Sequence, residues 1–457
     1  MTIDKIYVLQ KQYFLQDETF DISFRKNALK KLYDAIEKYE NAIVEGLYKD
    51  LGKSREESYM SEIGIVKMEI SHMLKHVEKY ARKQYVSTPF AQFPATSYTQ
   101  AVPYGNVLVM SPWNYPFLLT IDPLVCSIAA GNTTILKPSP DSPHTNQIMK
   151  KIITEIFDEK YVAFIEGGIE EANLLLSKKF DFVFFTGSIL TGRQVMKRCA
   201  EHLCPLVLEL GGKSPCIVDE TADLALSAKR IVFGKYLNCG QTCVAPDYVL
   251  IHRSQKDTFI EKVKEEILKQ YGNDVFHNTK YGKIVNEKHY ERLMHLIDQK
   301  KVVYGGKGNI GKLQIEPTIM DGVTWSDRIM QEEIFGPVLP ILIYDDFNAI
   351  IQQLKTMPHP LALYLFSKDH CHIKMIEKQL IYGGGCINDT IIHLASTSLG
   401  FGGVGDSGMG SYHGKKGFDA FSHTKSIVNK KCWLDLPMRY ASYQNKIYNW
   451  LIRFFLK

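Results

Sequence analysis

Five short apolar runs follow one another in the first half of the chain: NVLVMSP (106–112), NTTILKP (132–138), VAFIEGG (162–168), FDFVFFTGS (180–188) and PLVLELGG (205–212). Stretches with apolar residues at helical spacing, such as TNQIMKKIITEIFDE (145–159), lie between these runs. Apolar strands that alternate with helices are typical of βαβ units, in which helices cover both faces of a parallel sheet. The pattern therefore predicts an α/β fold built on a buried parallel sheet.

The same alternation continues after residue 212, with apolar runs at 214–220, 246–252, 339–345 and 361–367. We therefore expect a second α/β unit to begin near Gly212. Residues 23–83 are rich in Lys, Glu, Leu and Ile at helical spacing, which predicts two or three amphipathic helices.

One further segment predicts an exposed arm. Residues 84–102 contain β-forming residues, two prolines and no helical period, and are typical of an exposed hairpin or arm. Because an isolated arm cannot bury its own apolar face, we expect it to pair with another subunit.

The composition excludes several classes of protein. With 45% hydrophobic and 23% charged residues among 457, the chain is neither disordered nor collagen-like. Nine scattered cysteines without a CxxC pair favour free thiols in a reducing compartment. The N-terminus lacks the apolar stretch of a signal peptide, and no run approaches the ~18 apolar residues of a membrane span. We therefore expect a cytoplasmic protein.

The net charge of +5 is concentrated at the C-terminal end. From His423 to Lys457 there are seven Lys or Arg and one acidic residue, Asp435, so the remaining chain is nearly neutral. A neutral body offers no surface for counterion release on DNA, and we predict no nucleic-acid partner.

The basic tail is also aromatic, and four of its residues have the spacing of an amphipathic helix: Ile447, Trp450, Leu451 and Phe454. Two interpretations stay open. The tail packs against its own or a partner subunit, or it forms a helix that gates the substrate site or contacts an anionic membrane.

Two glycine-rich segments match phosphate-binding patterns. Gly306–Gly311 fits GxGxxG and nearly a P-loop, but Leu313 stands where Ser or Thr would bind magnesium, and a strand-like segment follows. Gly403–Gly408 fits GxGxxG without a convincing preceding strand or an acidic residue about 20 positions further on. We interpret both segments as turns.

Three other segments carry residues suited to covalent catalysis. NCGQTC (238–243) holds two cysteines around a glycine, although an isolated cysteine is more often a small buried apolar residue. Asn114, in SPWNYP (111–116), offers an amide for oxyanion stabilisation. Glu209 lies between leucines, where a carboxylate has the raised pKa of a general base. The alternative is that Glu209 is an ion-paired glutamate or one at a strand end.

In their order and spacing, SPWNYP, ILKPS, FFTGS, LELGGKSP, GQTC, EEIFGP and FGGVGDSGMG resemble the motifs of the NAD(P)-dependent aldehyde dehydrogenase superfamily. NCGQTCVAPDY and SGMGSYHGKKGF resemble its class 3, or fatty-aldehyde, branch. The resemblance covers the chain from about residue 20 to residue 430.

Together with the pattern above, the resemblance implies a Rossmann-like NAD(P)-binding domain (1–84 and 103–211) and an α/β catalytic domain (212–418). A small β bridging, or oligomerisation, element (85–102 and 419–431) and a basic aromatic tail (432–457) complete the chain. The implied assembly is a homodimer.

The resemblance also implies roles for individual residues. Cys243 would be the nucleophile, Asn114 and the backbone N–H of Cys243 the oxyanion donors, and Glu209 the general base. Residues implied to bind NAD or NADP are Lys137, Trp113, Thr186, Gly187, Ser188, Gly192, Leu210, Glu333 and Phe335. Residues implied to line the aldehyde tunnel are Tyr115, Thr242, Phe401 and His413. We expect no metal site, because the cluster 370–372 lacks a second ligand pair at zinc spacing.

Pro140 stands where many members have a glutamate that binds the adenosine ribose and repels a 2′-phosphate. We therefore predict use of both NAD and NADP, unless another acceptor compensates.

An aromatic, uncharged tunnel favours apolar aldehydes, aliphatic or aromatic. The alternatives are a CoA-acylating enzyme, which Glu209 disfavours, and a non-catalytic scaffold, which the complete Asn, Glu and Cys set disfavours.

Overall fold

The computed structural model describes residues 1–440 and 445–456. Its strands are β1 (Gln84–Val86), β2 (Ala95–Pro103), β3 (Asn106–Ser111), β4 (Thr133–Pro138), β5 (Val162–Phe164), β6 (Phe182–Gly187), β7 (Leu206–Leu210), β8 (Pro215–Val218), β9 (Tyr248–His252), β10 (Val302–Tyr304), β11 (Gly308–Asn309), β12 (Gln314–Ile315), β13 (Thr318–Met320), β14 (Val338–Tyr344), β15 (Ala362–Phe366), β16 (Gly384–Ile387), β17 (Gly408–Met409) and β18 (Ser422–Lys430).

Its helices are α1 (Ile3–Phe14), α2 (Ile22–Leu51), α3 (Arg55–Ser58), α4 (Gly64–Ala81), α5 (Pro116–Ala130), α6 (Pro143–Ile156), α7 (Ile169–Leu176), α8 (Ile189–Glu201), α9 (Leu224–Tyr236), α10 (Lys256–Tyr271), α11 (Glu287–Leu296), α12 (Phe347–Lys355), α13 (His370–Gln379), α14 (Gly414–Ala420) and α15 (Lys446–Phe455).

The five apolar runs form one sheet, as the pattern predicted. In the described part of the chain its strand order is β17-β7-β6-β3-β4-β5, and all neighbours are parallel except β17 and β7. Strands β3 and β4 are buried along their whole length because helices cover both faces. The carboxyl ends of its parallel strands therefore meet at one edge, where ligands bind in sheets of this kind.

The second α/β unit forms a separate sheet with the order β10-β13-β14-β9-β8-β15-β16 among the described residues. Its strand pairs are parallel except β10 with β13. Together with the first sheet, it confirms the mixed α/β architecture expected from the sequence.

The N-terminal helices pack around α5, every residue of which is buried. Because α5 begins at the end of the SPWNYP segment, this packing fixes the position of the segment. The long helix α2 also holds α6, since the Asp50 carboxylate accepts the backbone N–H groups of His144 and Thr145 at 3.2 and 2.7 Å.

Residues of the expected bridging element form a three-stranded antiparallel sheet, β1-β2-β18. β18 pairs with β2 along its full nine residues and is mostly exposed. Helix α15 contacts the connection between β1 and β2, where the ring centres of Phe455 and Phe90 are 5.2 Å apart. Residues 441–444 and 457 of the predicted tail lie outside the described residues. No helix in the described ranges is both long and apolar enough to cross a membrane.

Neither glycine-rich segment forms a strand followed by a phosphate-binding helix in the described chain. Residues 310–312 form one 3₁₀ turn that is followed by β12. Residues 405–407 form another 3₁₀ turn that leads into β17. The second segment is a turn as predicted, whereas the first also contains the two-residue strand β11, which pairs with β12.

Candidate active site

Cys243 lies where two cavities meet. One is a tunnel-like cavity of about 170 Å³ with mostly aliphatic and aromatic walls, which include Tyr115, Leu118 and Phe401. The other is a wider and more polar cleft of about 530 Å³ at the carboxyl edge of the first sheet. Cys243 and Leu119 belong to the walls of both cavities. A thiol at this junction reaches a ligand in either cavity.

A turn in the left-handed region brings Cys243 to this junction. Asn238, Cys239 and Gly240 have φ angles of 52°, 50° and 73°. A Cβ on Gly240 would collide with the carbonyl oxygen of Gly336, so only glycine fits there. Cys239 points into an apolar core and lines neither cavity, whereas Cys243 lines both.

Asn114 is buried beside the nucleophile segment. Its side-chain amide donates to the carbonyl oxygen of Gln241 at 2.9 Å. Its own carbonyl oxygen accepts hydrogen bonds from Lys53 Nζ at 3.0 Å and Asn238 Nδ2 at 2.8 Å. The Asn114 amide therefore contacts the residue two positions before Cys243. Asn114 and Cys243 both line the polar cleft.

Glu209 lies inside β7, and its side chain faces the polar cleft. Both carboxylate oxygens are buried and have no hydrogen-bond partner among the described residues. Burial raises the pKa of Glu209 well above its usual value, because desolvation disfavours the charged form. The ion-paired alternative for Glu209 does not occur in this structure.

Glu333 and Cys243 are subject to the same effect. Burial, followed by the charge of Asp247, raises the pKa of Glu333 to about 8. Burial, followed by the charges of Glu333 and Glu209, raises the pKa of the Cys243 thiol. All three groups are therefore more difficult to ionise than they would be in water.

Most residues implied to bind the cofactor line the polar cleft: Trp113, Thr186, Gly187, Ser188, Leu210, Glu333 and Phe335. Ser188 caps α8, because its hydroxyl accepts the backbone N–H of Thr191 at 3.3 Å. The rings of Trp113 and Phe335 meet edge to face at 5.5 Å. The cleft thus combines a helix N-terminus with two aromatic walls and a carboxylate.

Two of the implied cofactor residues are not part of this wall. Lys137 is buried and donates to the carbonyl oxygens of Pro138 at 3.0 Å and Gly167 at 2.7 Å. Gly192 lies on α8 against Leu210, and an added Cβ would come within 2.6 Å of the leucine side chain. Because Gly192 has no side chain, α8 can pack closely against β7.

The cleft fits a dinucleotide cofactor on structural grounds. Thr186 Oγ1 is buried in its wall without a partner among the described residues. The N-terminus of α8 supplies backbone N–H groups of the type that bind pyrophosphate. The Glu333 carboxylate, packed over Gly211, is suited to accept bonds from a ribose diol.

The four residues implied for the aldehyde tunnel all line the apolar cavity: Tyr115, Thr242, Phe401 and His413. The hydroxyls of Tyr115 and Thr242 are 2.6 Å apart and satisfy one another. His413 stacks on Phe401, and its Nε2 lies 3.2 Å from the buried carboxylate of Asp122. The Tyr115 and Thr242 hydroxyls are thus paired within the wall, whereas His413 Nε2 forms no hydrogen bond among the described residues.

Sequence reasoning missed several residues that shape the site. His289 and Arg292 line the polar cleft, and Arg292 donates to the carbonyl oxygen of Ile334 at 2.6 Å, which holds the segment after Glu333. Lys53 contacts Asn114 from the N-terminal helices. None of them lies in a recognisable motif, although a lysine beside a glycine at a helix end is a weak signal for a tertiary contact.

One group of potential metal ligands occurs in the described ranges. Ligand atoms of Asp219, Glu220 and His372 lie within 4.8 Å of one another. The Asp219 carboxylate already contacts the Ser367 hydroxyl and His372 Nδ1, the latter at 2.9 Å. These contacts account for the cluster without an ion.

The chain is similar to known proteins over nearly its whole length. The Aldehyde dehydrogenase family matches residues 3–427. 4,4′-Diaponeurosporen-aldehyde dehydrogenase of Staphylococcus aureus is 47% identical over 97% of both chains. The dimeric NADP-preferring aldehyde dehydrogenase of Canis lupus familiaris is 40% identical over 93% of this chain and 94% of its own.

Solved structures give the same result. A substrate-bound Staphylococcus aureus AldH superimposes with a TM-score of 0.98 and 46% identity over the full length of both chains. The chain therefore belongs to the aldehyde dehydrogenase family, in its class 3-like branch, and is an NAD(P)-dependent aldehyde dehydrogenase.

Proposed function

We propose that the protein oxidises an apolar aldehyde, aliphatic or aromatic, to its carboxylic acid through a covalent intermediate on Cys243. The observation that carries this proposal is the position of Cys243 between an apolar tunnel and a polar cleft. The tunnel walls favour an apolar substrate chain. The Staphylococcus relative, which is named for a carotenoid-type aldehyde, supports the same substrate class.

In the proposed mechanism, the Cys243 thiolate attacks the aldehyde carbon and forms a carbon–sulfur bond. The Asn114 amide and the Cys243 backbone N–H stabilise the resulting alkoxide. The chemistry that NAD(P)+ would supply in the polar cleft is acceptance of a hydride from this carbon; loss of the hydride leaves a thioester on Cys243. Glu209 then takes a proton from the water that hydrolyses the thioester, which releases the acid and restores the thiol.

The cofactor would be held by residues of the polar cleft. The start of α8 at Ser188 would face the pyrophosphate, and Glu333 would accept bonds from the nicotinamide ribose. Lys137 donates to two backbone carbonyl oxygens, so the third donor of its ammonium would be available to the adenosine ribose.

Substitution of Cys243 tests the nucleophile. We expect Cys243→Ser and Cys243→Ala to lose nearly all aldehyde oxidation in a steady-state assay, because neither offers a thiolate. Cys239→Ala is the matched control, since Cys239 is four residues away and buried, and it should retain most activity. A comparable loss in the Cys239 and Cys243 variants would contradict the assignment.

Substitution of Glu209 tests the base. Glu209→Gln should slow thioester hydrolysis, so that rapid mixing shows a burst of NADH before a slow steady state. Because its pKa is raised, Glu209 is deprotonated only as the pH rises; hydrolysis in the unmodified enzyme should therefore accelerate with pH, and the variant should lose this dependence.

Unchanged steady-state turnover in Glu209→Gln would remove Glu209 from the mechanism.

The same assay with added CoA distinguishes hydrolysis from the CoA-acylating alternative. A strict requirement of the unmodified enzyme for CoA would favour acyl transfer to CoA over hydrolysis.

We further propose that the enzyme accepts both NAD and NADP, because Pro140 provides no carboxylate at the adenosine ribose. A ratio of kcat/KM for NAD over NADP beyond about a thousandfold, or ~4 kcal/mol, would argue against this. Glu171, whose carboxylate accepts the Gly168 N–H at 2.7 Å, is the candidate for compensation. In that case Glu171→Gln would shift the ratio toward NADP, whereas the neighbouring Glu170→Gln would not.

We propose a homodimer in which the exposed edge strand β18 pairs with a second copy. A nine-residue strand with most side chains exposed is the kind of edge that folded proteins cover.

The apolar stripe of α15 is a separate surface, since Ile447, Trp450 and Phe454 are each more than half exposed. We propose that this stripe, flanked by Lys446 and Arg453, contacts an anionic membrane surface.

Truncation after residue 444 tests the tail. We expect the truncated chain to lose sedimentation with anionic vesicles and part of its turnover of long-chain aldehydes, while hexanal turnover and the dimer mass from light scattering persist. Trp450→Ser with Phe454→Ser should behave like the truncation, and Asn449→Ser like the full chain. Unchanged vesicle binding and long-chain turnover would exclude this role.

A further inference from the structure

The Lys53 side chain is completely buried, although it lies in the short connection between α2 and α3. Its ammonium is 2.5 Å from Glu62 Oε1 and 3.0 Å from the carbonyl oxygen of Asn114. It also lies 3.8 Å from the centre of the Tyr115 ring. A buried ammonium is costly unless its three donors are satisfied. Here a carboxylate, a carbonyl and an aromatic face satisfy them.

Glu62 extends this contact to the start of α5. Its second oxygen, Oε2, accepts the backbone N–H groups of Phe117 and Leu118 at 2.9 and 3.0 Å. A carboxylate is favourable at a helix N-terminus. Lys53 and Glu62 therefore hold the chain on both sides of Tyr115, through the carbonyl before it and the helical turn after it.

The carbonyl oxygen of Asn114 also connects Lys53 with the nucleophile segment. It accepts a second hydrogen bond, at 2.8 Å, from the side chain of Asn238, the first residue of the left-handed turn. The Asn114 amide in turn donates to Gln241. Because this amide and the carbonyl belong to one residue, a shift of the carbonyl moves the amide relative to Cys243.

We propose that Lys53 is a positioning residue for aldehyde oxidation, which acts by fixing the Asn114 backbone, and with it the Asn114 amide, at the junction of the two cavities. This inference rests on the proposed role of Asn114. Neither Lys53 nor Glu62 lines the polar cleft. Loss of the Lys53 ammonium therefore slows formation of the thioester and leaves cofactor affinity unchanged.

A double-mutant cycle tests the inference. Lys53→Met, Asn114→Ala and the double variant are mixed rapidly with NAD and hexanal, and the first-turnover rate of NADH formation is measured. Lys53→Met is expected to slow this rate about 10- to 100-fold. In the Asn114→Ala background it should add no further loss, because its effect is transmitted through the missing amide. The dissociation constant for NAD should stay unchanged.

Arg25→Met is the matched control for loss of stability. Arg25 is also a buried cation that donates to carbonyl oxygens, and one of these, Ala129 at 3.1 Å, lies at the opposite end of α5. The control should lower the thermal midpoint but keep the first-turnover rate. If Lys53→Met does not fold, Lys53→Met with Glu62→Gln replaces it, since this pair leaves no unpaired buried charge.

Two results would overturn the inference while the proposed function stands: multiplicative losses in the double variant, or equal slowing in Lys53→Met and Arg25→Met. A normal first-turnover rate in Asn114→Ala would instead refute the proposed role of Asn114, and the inference with it. Because Asn114→Ala retains Lys53, its rate tests the proposed role of Asn114 alone. Failure of the proposed function and failure of the inference are therefore distinguishable.

Discussion

The left-handed turn Asn238–Gly240 is the constraint on which the site depends, because it leads the chain from α9 to the junction where Cys243 lies. Strained backbone of this kind costs about 1–3 kcal/mol per residue and persists only where its surroundings hold it. Here the Asn238 backbone N–H donates to Glu57 at 2.8 Å, and its side chain donates to Asn114. The turn is therefore stabilised by the N-terminal helices and by the segment after β3 at the same time.

The parallel sheet explains how residues distant in sequence reach this turn. Asn114 follows β3, Ser188 follows β6, and Glu209 lies near the end of β7. Because neighbouring parallel strands end at one edge, a register that buries the apolar residues also brings these polar groups together. The second sheet needs to supply only the turn before β9, which carries Cys243, and the segment that carries Glu333.

The sequence predicted those parts of the molecule that depend on local pattern. Apolar runs identified the strands of the first sheet, and motifs identified most of the cleft wall, including Ser188 and Glu333. Lys53 could not be found in this way, because its importance depends on contacts with Glu62 and Asn114 that only the folded chain creates. Gly192 lies in a motif, but the structure places it against Leu210, a packing contact that no sequence pattern distinguishes from ligand binding.

Electrostatics around Cys243 agrees with a reaction in two stages. Burial raises the pKa of the Cys243 thiol and the charges of Glu333 and Glu209 raise it further, so a thiolate forms most readily while Glu209 is protonated. Conversely, Glu209 ionises more easily when the Cys243 sulfur is neutral than when it is a thiolate. In the proposed mechanism the sulfur is anionic during attack and neutral in the thioester. The mutual repulsion of the two groups therefore disfavours the base during the first stage and releases it in the second, when water must be activated.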